Sequence, residues 1–399
     1  MYTKDDVLTF VEEENVKFIR LAFCDTDGVQ KNIAIMPAEL PRVFDEGFPF
    51  DPFNIKGFTG YQETNLFLHP DPSTLSILPW RPSNGRVVRM FCNITYPDGT
   101  PYEADGRTIL QNAMKFASEH GISCTFGNNS EFYLFQLDEE GNPTKKPFDT
   151  AGYLDIAPED KGENVRREIC FTLNDMGIIP ESSHHEAGPS QHEVDFKYSD
   201  PLTAAENTLT FQSVVRTIAA RNGLTADFSP KPLKDQSGSG MHINIAVQSL
   251  DGKDQLDSFM AGVLAHIEEM TAFLNPTEQS YRRLGEKKAP IYISWSPENR
   301  FQLIQIPATS PTRRHMKLRS PDSMCNPYIA YALLIYAGMD GILQNMDPGQ
   351  PVNRDLTEDD VTQTGSIRKL PDTLKDAQSL AQNSAFIRGI LSDEYFLTF

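Results

Sequence analysis

The sequence is poor in cysteine and has no long hydrophobic run. Its 399 residues include five cysteines, which are scattered, form no CxxC pair and are odd in number: Cys24, Cys92, Cys124, Cys170 and Cys325. This usage favours free thiols in a reducing compartment over a disulfide scaffold. No segment reaches the ~18 consecutive apolar residues of a membrane span, and MYTKDDVLTFVEEENV carries acids where a signal peptide would be basic and then apolar. We therefore expect a cytoplasmic protein without a membrane partner.

Positive charge is also scarce. There are 36 Lys+Arg against 55 Asp+Glu, so the formal net charge is −19 with histidine neutral. That balance excludes a basic nucleic-acid module and disfavours anionic lipid surfaces, although a local basic pocket can still hold a nucleotide. A hydrophobic fraction of 39% and a charged fraction of 23% are typical of a globular chain. At roughly 100–200 residues per domain, the length indicates two or three domains.

Two sequence textures divide the chain near residue 100. The first part predicts a short helix capped at Thr3, a hairpin of VKFIRLAFCD and VQKNIAIM around an Asp-Gly turn, and a strand RVVRMFCNIT. The stretch 47–82, rich in Pro, Gly and Phe, is expected to be loop. From Asp105 on, four segments of helical spacing alternate with short β-like runs, among them ISCTFG, EFYLFQL, HEVDF, MHINIAV and PIYISW. We predict an α+β protein with a β-rich domain at 1–100 and a larger α/β domain at 101–399.

Three glutamates are candidate ligands for a hard cation. Glu131 opens the run EFYLFQL, where a period of two puts it on one face with Tyr133 and Phe135. Glu186 and Glu193 flank an Ala-Gly-Pro-Ser turn, and a hairpin there would bring their carboxylates together. Converging carboxylates suit Mg²⁺ or Mn²⁺. The alternative is a set of solvated acids at strand ends.

A glycine-flanked turn and a group of basic residues are two further candidates. In SGSGMHIN, residues 237–244, the glycines allow a ligand to approach the backbone closely and His242 begins a strand. A tight turn with a satisfied core histidine is the competing interpretation. Basic residues gather at three places: Arg282-Arg283, Asn299-Arg300 and RRHMKLR at 313–319. In an acidic chain they indicate either an anionic small-molecule site, because Arg matches carboxylate and phosphate, or a solvated basic face.

Taken together and in order, these segments resemble the glutamine synthetase family over nearly the whole chain. The landmarks are FDPFNIKGF, LHPDPSTLSILPW, NSEFYLF, GYLDIAPEDKGENVRREI, HHEAGPSQHEVDF, KPLKDQSGSGMHIN, SYRRL followed by AP, ENRFQLIQIP and RSPDSMCNPYIAYALLIYAGMDGI. The resemblance, of type I character, implies an N-terminal β-grasp-like domain and a catalytic-type domain with a curved antiparallel sheet. It also implies that ATP activates glutamate as an acyl phosphate, which ammonia converts to glutamine, while two divalent cations neutralise charge.

The resemblance assigns roles to particular residues of this chain. The positions of the first metal ion are Glu131, Glu186 and Glu193, and His242 matches a ligand of the second. The substrate-binding positions, which hold the substrate carboxylate or the phosphates or lie near the ammonium, are Tyr153, Gly238, His242, Arg283 and Arg319. The catalytic positions are Arg300 and, reaching in from a neighbouring subunit, Asp51.

Several family positions carry other residues, and most of these surround the second cation. The expected second-cation carboxylates are replaced by Asn129 and Lys317, the acid that guards the ammonium site aligns near Lys288, and a phosphate-binding arginine is replaced by Gln305. The remaining departures are Asn54, Ser237 and His315. A lysine ammonium repels Mg²⁺, so we predict that only the first cation binds in the family's manner.

Three functions are compatible with this pattern. In the first, Lys317 replaces the second cation electrostatically and the chain remains an ATP-dependent glutamate-ammonia ligase. In the second, the pocket accepts another γ-glutamyl acceptor or another acid. In the third, the chain is a catalytically inactive homologue that serves as an oligomeric scaffold or regulator, with an intact glutamine synthetase as a partner. The resemblance also implies a homo-oligomer of stacked hexameric rings, a dodecamer, with sites shared between neighbours.

Overall fold

The computed structural model describes residues 2–58, 65–81, 85–286, 288–309, 314–360 and 367–397. Its N-terminal part is a six-stranded sheet with two helices at its side. The elements in chain order are α1 (Lys4–Glu13), β1 (Val16–Cys24), β2 (Gln30–Ile35), α2 (Leu40–Glu46), β3 (Phe48–Phe50), β4 (Leu66–Pro70), β5 (Ser76–Ile77) and β6 (Arg86–Thr95).

Local sequence explains how this first part forms. Thr3 and Asp6 cap α1 reciprocally, each side chain accepting the backbone N–H of the other, and Val7 and Val11 turn inward from the helix. Strands β1 and β2 form the predicted antiparallel hairpin, while β6 lies parallel to β1 on its other side. The expectation of loop for 47–82 was wrong in part, because β3, β4 and β5 lie there and two of them pair directly with β6.

The C-terminal part is a nine-stranded sheet backed by helices. Its strands run in the order β13-β14-β15-β12-β7-β10-β9, and β11 and β8 also pair with β7. The elements are α3 (Gly106–Glu119), β7 (Ile122–Leu137), β8 (Pro143–Pro147), α4 (Glu163–Asp175), β9 (Pro180–His185), β10 (Gln191–Phe196), α5 (Pro201–Arg221), β11 (Leu224–Asp227), β12 (Met241–Ser249), α6 (Leu256–Leu274), α7 (Glu278–Arg283), β13 (Trp295–Ser296), β14 (Ile304–Gln305), β15 (Met316–Leu318), α8 (Pro327–Leu343), α9 (Leu374–Asn383) and α10 (Ala385–Arg388).

Three details of this sheet differ from expectation. The runs ISCTFG and EFYLFQL form one strand, β7, because the polar residues between them stay paired with β12 and β10. In PIYISW, Trp295 is the only residue that lies within a strand. The sheet is mixed and not wholly antiparallel, since residues 297–303 carry the chain back and β14 runs parallel to β13.

The alternation of side chains along β7 separates a core face from a polar face. Phe126 packs 4.6 Å from the ring of Tyr331 on α8, and Phe132 lies 6.1 Å from the ring of Phe211 on α5. These even-numbered positions face the helices. The odd-numbered positions, which include Glu131, point to the opposite face. The fold therefore presents the candidate carboxylate on the face of the sheet away from these helices.

The helices behind the sheet approach one another closely where glycines face each other. A Cβ on Gly262 of α6 would lie 2.0 Å from the carbonyl oxygen of Ala337, and one on Gly341 of α8 would lie 2.1 Å from that of Ser258. Side chains larger than hydrogen would force the two helices apart. None of the described helices is both long and apolar enough to cross a membrane.

Candidate active site

The register of three neighbouring strands brings two carboxylates and an imidazole together. Glu131 on β7 stands opposite Glu193 on β10, and His242 on β12 stands opposite Asn129 of β7. One ligand atom from each of Glu131, Glu193 and His242 lies within 4.8 Å of the others. All three side chains are buried. The predicted convergence of Glu131 and Glu193 is therefore present in the structure, and His242 joins them; we call this trio the first group.

The pKa values of the three residues in the first group favour the binding of a cation. Burial and the neighbouring Glu186 raise the pKa of Glu131, and burial together with the charge of Glu131 raises the pKa of Glu193 well above its ordinary value. Burial and the guanidinium of Arg319 hold the pKa of His242 well below its ordinary value. The imidazole is thus neutral with a lone pair available, and a cation would relieve the repulsion between the two carboxylates.

A second group shares Glu193 with the first. His184 and Glu186 approach it, with ligand atoms within 4.8 Å of one another. His184 Nε2 lies 3.3 Å from Glu186 Oε1, and Lys288 Nζ donates to Glu186 Oε2 at 2.8 Å. The same ammonium lies 5.3 Å from the centre of the Tyr153 ring. The three glutamates predicted as one ligand set are therefore divided between two groups that meet at Glu193.

Glu186 and Lys288 form a persistent ion pair. Burial raises the pKa of Glu186, but hydrogen bonds from His184 and Lys288 and the charge of Lys288 outweigh it, and the pKa falls to about 2. Burial lowers the pKa of Lys288 in turn, but the hydrogen bond to Glu186 and the negative charge around it raise that pKa above its ordinary value. Both groups are therefore ionised at neutral pH.

A buried histidine holds the backbone that carries Glu186. His185 Nδ1 lies 2.7 Å from the carbonyl oxygen of Glu186, and His185 Nε2 lies 3.0 Å from Asp149 Oδ1. Because both partners are acceptors, both ring nitrogens carry a proton and His185 is an imidazolium. Burial raises the pKa of Asp149, but the hydrogen bond and charge of His185 lower it to about 2. Asp149 also accepts the N–H of Ser190 at 2.9 Å, so the pair fixes the β9–β10 turn.

Arg166 completes this supporting layer. It donates twice to Asp160, at 2.8 and 3.1 Å, and once to His192 Nδ1 at 3.0 Å. Burial and Arg166 hold the pKa of His192 well below its ordinary value. Asp149, His185 and His192 come within ligand distance of one another, but both ring nitrogens of His185 are already hydrogen-bonded, to the carbonyl of Glu186 and to Asp149. We therefore assign this trio to structural support and not to metal binding.

A cavity of about 190 Å³ opens beside the first group. Its lining includes Glu131, Ser237, Gly238, His242, Arg283 and Lys288. Glycine is required at position 238, because a Cβ there would lie 2.7 Å from the carbonyl oxygen of Pro230 and 2.8 Å from Arg283 Cγ. Gln191 secures the turn by donating to Glu131 Oε2 at 3.2 Å and to the carbonyl of Gly238 at 3.1 Å. The glycine-flanked turn therefore borders the cavity, and the approach of a ligand to its backbone stays a prediction.

One buried arginine lines this cavity and a second lies next to it. Arg283 is 2% exposed and donates to the carbonyl oxygens of Ser320 and Arg319, at 2.8 and 3.2 Å. Arg319 is 7% exposed, and its Nε is without a hydrogen-bond partner within the described ranges. Burial lowers the pKa of Arg319 to about 10, so it stays charged, and exposed Arg300 adds to this local positive charge. The arrangement favours an anion-binding site over a solvated basic face.

Three of the residues predicted to depart from the family pattern lie in one row across the sheet. Asn129 hydrogen-bonds through its amide to Asp195 and accepts the Asn244 Nδ2 donor at 2.8 Å. Lys317 on β15 stands opposite Asn244 on one side and opposite Gln305 on the other. Burial lowers the pKa of Lys317. Strand pairing therefore places three separate substitutions, at 129, 305 and 317, in one patch.

Other predicted residues lie outside the cavity wall. Asp51 and Asn54 are exposed in the segment after β3, where Asp51 Oδ1 accepts the N–H of Phe53 at 2.9 Å. Neither is among the residues that line the cavity. Next to Lys317, His315 packs edge-on against Tyr198, with ring centres 5.7 Å apart. The role of Asp51 in a neighbouring subunit remains a prediction.

Sequence reasoning did not single out two participants. His184 lies two residues before Glu186, so strand alternation alone would have placed both on one face. Asp149 gave no such signal, because it lies in a loop far along the chain from the histidine that it holds.

Comparison with known proteins identifies the fold and the family. A family model described as the beta-Grasp domain of glutamine synthetase matches residues 15–97, and one described as its catalytic domain matches residues 103–399. A glutamine synthetase of Methanosarcina mazei is 44% identical over 412 residues, covering 99% of this chain and 92% of the relative. One of Clostridium saccharobutylicum is 41% identical, covering 99% and 93%.

Solved structures agree with these sequence matches. A GmaS/ADP complex superimposes with a TM-score of 0.87 at 26% identity, covering 98% of this chain and 93% of that one. A cryo-EM structure of Plasmodium falciparum glutamine synthetase has the same fold, with a TM-score of 0.87 at 21% identity over 100% of this chain and 94% of its own. With two family models spanning the chain and relatives above 40% identity along almost all of it, the chain belongs to the glutamine synthetase family.

Proposed function

We propose that this protein is an ATP-dependent carboxylate–amine ligase of the glutamate–ammonia type, with altered cation chemistry and an altered choice of amine or acid. The observation that carries the proposal is a single cavity lined by the buried guanidinium of Arg283, the carboxylate of Glu131 and the neutral imidazole of His242. Groups that bind an anionic substrate and groups that bind a cation meet there. Relatives named glutamine synthetase support the same class of reaction.

The proposed reaction has two steps. The γ-phosphoryl group of ATP passes to the side-chain carboxylate of the amino acid, and the amine nitrogen then attacks the acyl carbon. The carbon–oxygen bond to phosphate breaks, an amide forms and the nitrogen loses a proton. Catalysis of such a transfer consists mainly of positioning and of neutralising phosphate oxygens. Arg283, Arg300 and Arg319 would supply fixed positive charge, and Gly238 would let the substrate approach the backbone.

The first group fits one divalent cation, Mg²⁺ or Mn²⁺. Glu131 and Glu193 are buried carboxylates whose pKa values are raised by burial and by neighbouring carboxylates, and His242 is neutral. A cation bound there would neutralise charge on the phosphate oxygens. Asn129 and Lys317 provide no anionic ligand beside it, so we propose no second cation in that row. Lys317 would instead act as a fixed positive charge.

The amine side of the proposed site involves a neighbouring copy of the chain. Tyr153 and Glu186 lie at the second group, and Asp51 of the next subunit would complete the site for the amine. We propose a homo-oligomeric ring, with a dodecamer of two stacked hexamers as the expected assembly. Size-exclusion chromatography with light scattering measures this mass. A monomer would contradict the shared site.

A second function is favoured by the lysines. Lys288 forms an ion pair with Glu186, and Lys317 lies in the row where a carboxylate ligand was expected. Positive side chains at both places are consistent with a catalytically inactive homologue that acts as an oligomeric scaffold or regulator, with an intact glutamine synthetase as partner. This alternative predicts that neither ATP binding nor phosphoryl transfer occurs.

Nucleotide binding separates the two functions. Isothermal titration of the purified full chain with ATP, in excess Mg²⁺ or Mn²⁺, should show uptake if the protein is a ligase. ADP release with glutamate and a series of small amines, ammonia included, then identifies the acceptor. Absence of ATP uptake would reject the ligase and support the scaffold.

A substitution of the buried arginine next to the cavity tests the same proposal from the protein side. Arg319→Met should weaken binding of ATP or of the amino acid by roughly 10-fold to 100-fold, since a charged hydrogen bond contributes about 1.5–3 kcal/mol. Arg42→Met, on the exposed face of α2, is the matched control and should bind as the wild type does. Equal binding by both variants would contradict the assigned role of Arg319.

A further inference from the structure

Lys288 places its ammonium group directly beside the second group, on the carboxylate of Glu186. Its Nζ is 2.8 Å from Glu186 Oε2 and 5.3 Å from the centre of the Tyr153 ring. His184 borders the same space, 3.3 Å from Glu186 Oε1 and edge-on to Tyr153 with ring centres 5.7 Å apart. A carboxylate and an aromatic face are the surroundings that an ammonium group prefers. The chain therefore supplies its own cation to this place.

The hydrogen bonds of Glu186 leave little capacity for a metal ion. Its Oε1 faces His184, while its Oε2 accepts both Lys288 and the N–H of Ala187, the latter at 3.0 Å. A divalent ion at this place would compete with the ammonium for the same oxygen and would be repelled by its charge. The remaining member, Glu193, also belongs to the first group, where no lysine forms an ion pair within the described residues.

We propose that Lys288 is a tethered ammonium that replaces a divalent cation at the group of His184, Glu186 and Glu193. The protein then binds its divalent cation at Glu131, Glu193 and His242, and not at the three-glutamate set predicted from the sequence. This inference rests on the proposed function and adds that the chain itself fills one of its two cation positions, the one at the second group. Its test counts metal ions in the protein without nucleotide, so it is independent of whether ligation occurs.

The experiment counts Mn²⁺ bound per chain at saturation, from the electron paramagnetic resonance signal of free Mn²⁺ at known total concentration. Removing the ammonium by Lys288→Gln should increase the count by one ion per chain relative to the wild type. Lys288→Arg, which keeps a cation at the same position, should show no increase. No increase in Lys288→Gln would overturn the proposal.

A matched control removes the same kind of pair elsewhere. Lys253 pairs with Asp251 at 2.8 Å on the exposed surface, the same nitrogen–oxygen separation as in the pair of Lys288 with Glu186. Lys253→Gln should leave the count at the wild-type value. An increase in Lys253→Gln equal to that in Lys288→Gln would show that loss of a surface charge suffices, and would also overturn the proposal.

Discussion

Lys317 brings a positive side chain close to the carboxylate of Glu193. Burial lowers its pKa, while the charge of Glu193 opposes that change. In the same row Asn129 directs its amide to Asp195 and bonds to Asn244, so its side chain is committed to the sheet. A lysine and an amide here provide one fixed positive charge and no anionic ligand. The row therefore favours the binding of an anion over the binding of a second metal ion.

Restoring acids in this row should create a second cation site. Changing Asn129→Glu and Lys317→Glu together places two carboxylates next to His242, which faces position 129 across the β7–β12 ladder. We expect one more bound Mn²⁺ per chain than in the wild type, measured by the same count of free Mn²⁺. Lys146→Glu, on the exposed part of β8, repeats the lysine-to-glutamate change away from the site and should have no effect. An unchanged count in the double variant would contradict the missing-ligand argument.

At the scale of elements, the site depends on how a loop is fastened to two strands. The loop after β8 contributes Asp149, whose carboxylate reaches His185 at the end of β9 and the N–H of Ser190 in the β9–β10 turn. Glu186 follows His185 directly, and Glu193 lies on the strand that returns. Short strands alone would leave this hairpin free to twist, so a buried ion pair sets the relative position of the two glutamates.

This ion pair should give the stability a definite pH dependence. The pKa of Asp149 is lowered from 3.8 to about 2, so its contribution is present above pH 3.8 and is lost as the pH falls towards 2. The pKa of His185 is raised above 6.5, so its contribution is present below pH 6.5 and is lost as the pH rises through the higher folded-state value. The free energy of unfolding lost on Asp149→Asn should therefore be largest between these limits, on the order of 2 kcal/mol.

Urea unfolding of the wild type and Asp149→Asn at several pH values measures this difference. Asp138→Asn is the control, because that exposed carboxylate bonds to Asn142 and not to a histidine. Its effect should not diminish above pH 6.5. A difference for Asp149→Asn that stays constant from acid to alkaline pH would contradict the assignment of an imidazolium at His185.

At the scale of the whole molecule, a buried arginine joins the N-terminal sheet to the helical layer. Arg107, at the start of α3, donates to Glu206 of α5 at 2.8 Å and to Asp71, just after β4, at 2.6 Å. It also bonds to Asn93 on β6 and is 2% exposed. Because its partners come from both parts of the chain, the network fixes how the two parts sit together.

Removing this arginine should destabilise the whole protein. Arg107→Met leaves the buried carboxylate of Glu206 and the half-buried carboxylate of Asp71 without this cation, and breaking a buried pair in this way costs about 3–5 kcal/mol of the free energy of unfolding. Denaturant unfolding measures it. Adding Glu206→Gln to the variant removes one uncompensated charge and should recover part of the loss. A loss below about 1 kcal/mol, the range of surface pairs, would show that the network contributes little.

Much of the fold follows from local sequence. The capping box at Thr3 and Asp6, the β1–β2 hairpin and the spacing of the four helices after Asp105 each depend on residues within a few positions of one another. The hairpin of β9 and β10 belongs to the same class, and with it the approach of Glu186 to Glu193. Family membership also followed from the order of short motifs along the chain, which the comparisons confirmed.

The distribution of partners within the site was decided by tertiary structure. The sequence by itself determined the scarcity of cysteine and positive charge, most of the elements and the identities of most candidate ligands. Only the folded chain placed Glu131 with His242, set Lys288 on Glu186 across 102 residues of sequence, and aligned positions 129, 317 and 305 in one row. Such contacts depend on strand register and on the path of long loops. These are fixed by packing of the whole core, and no local pattern encodes them.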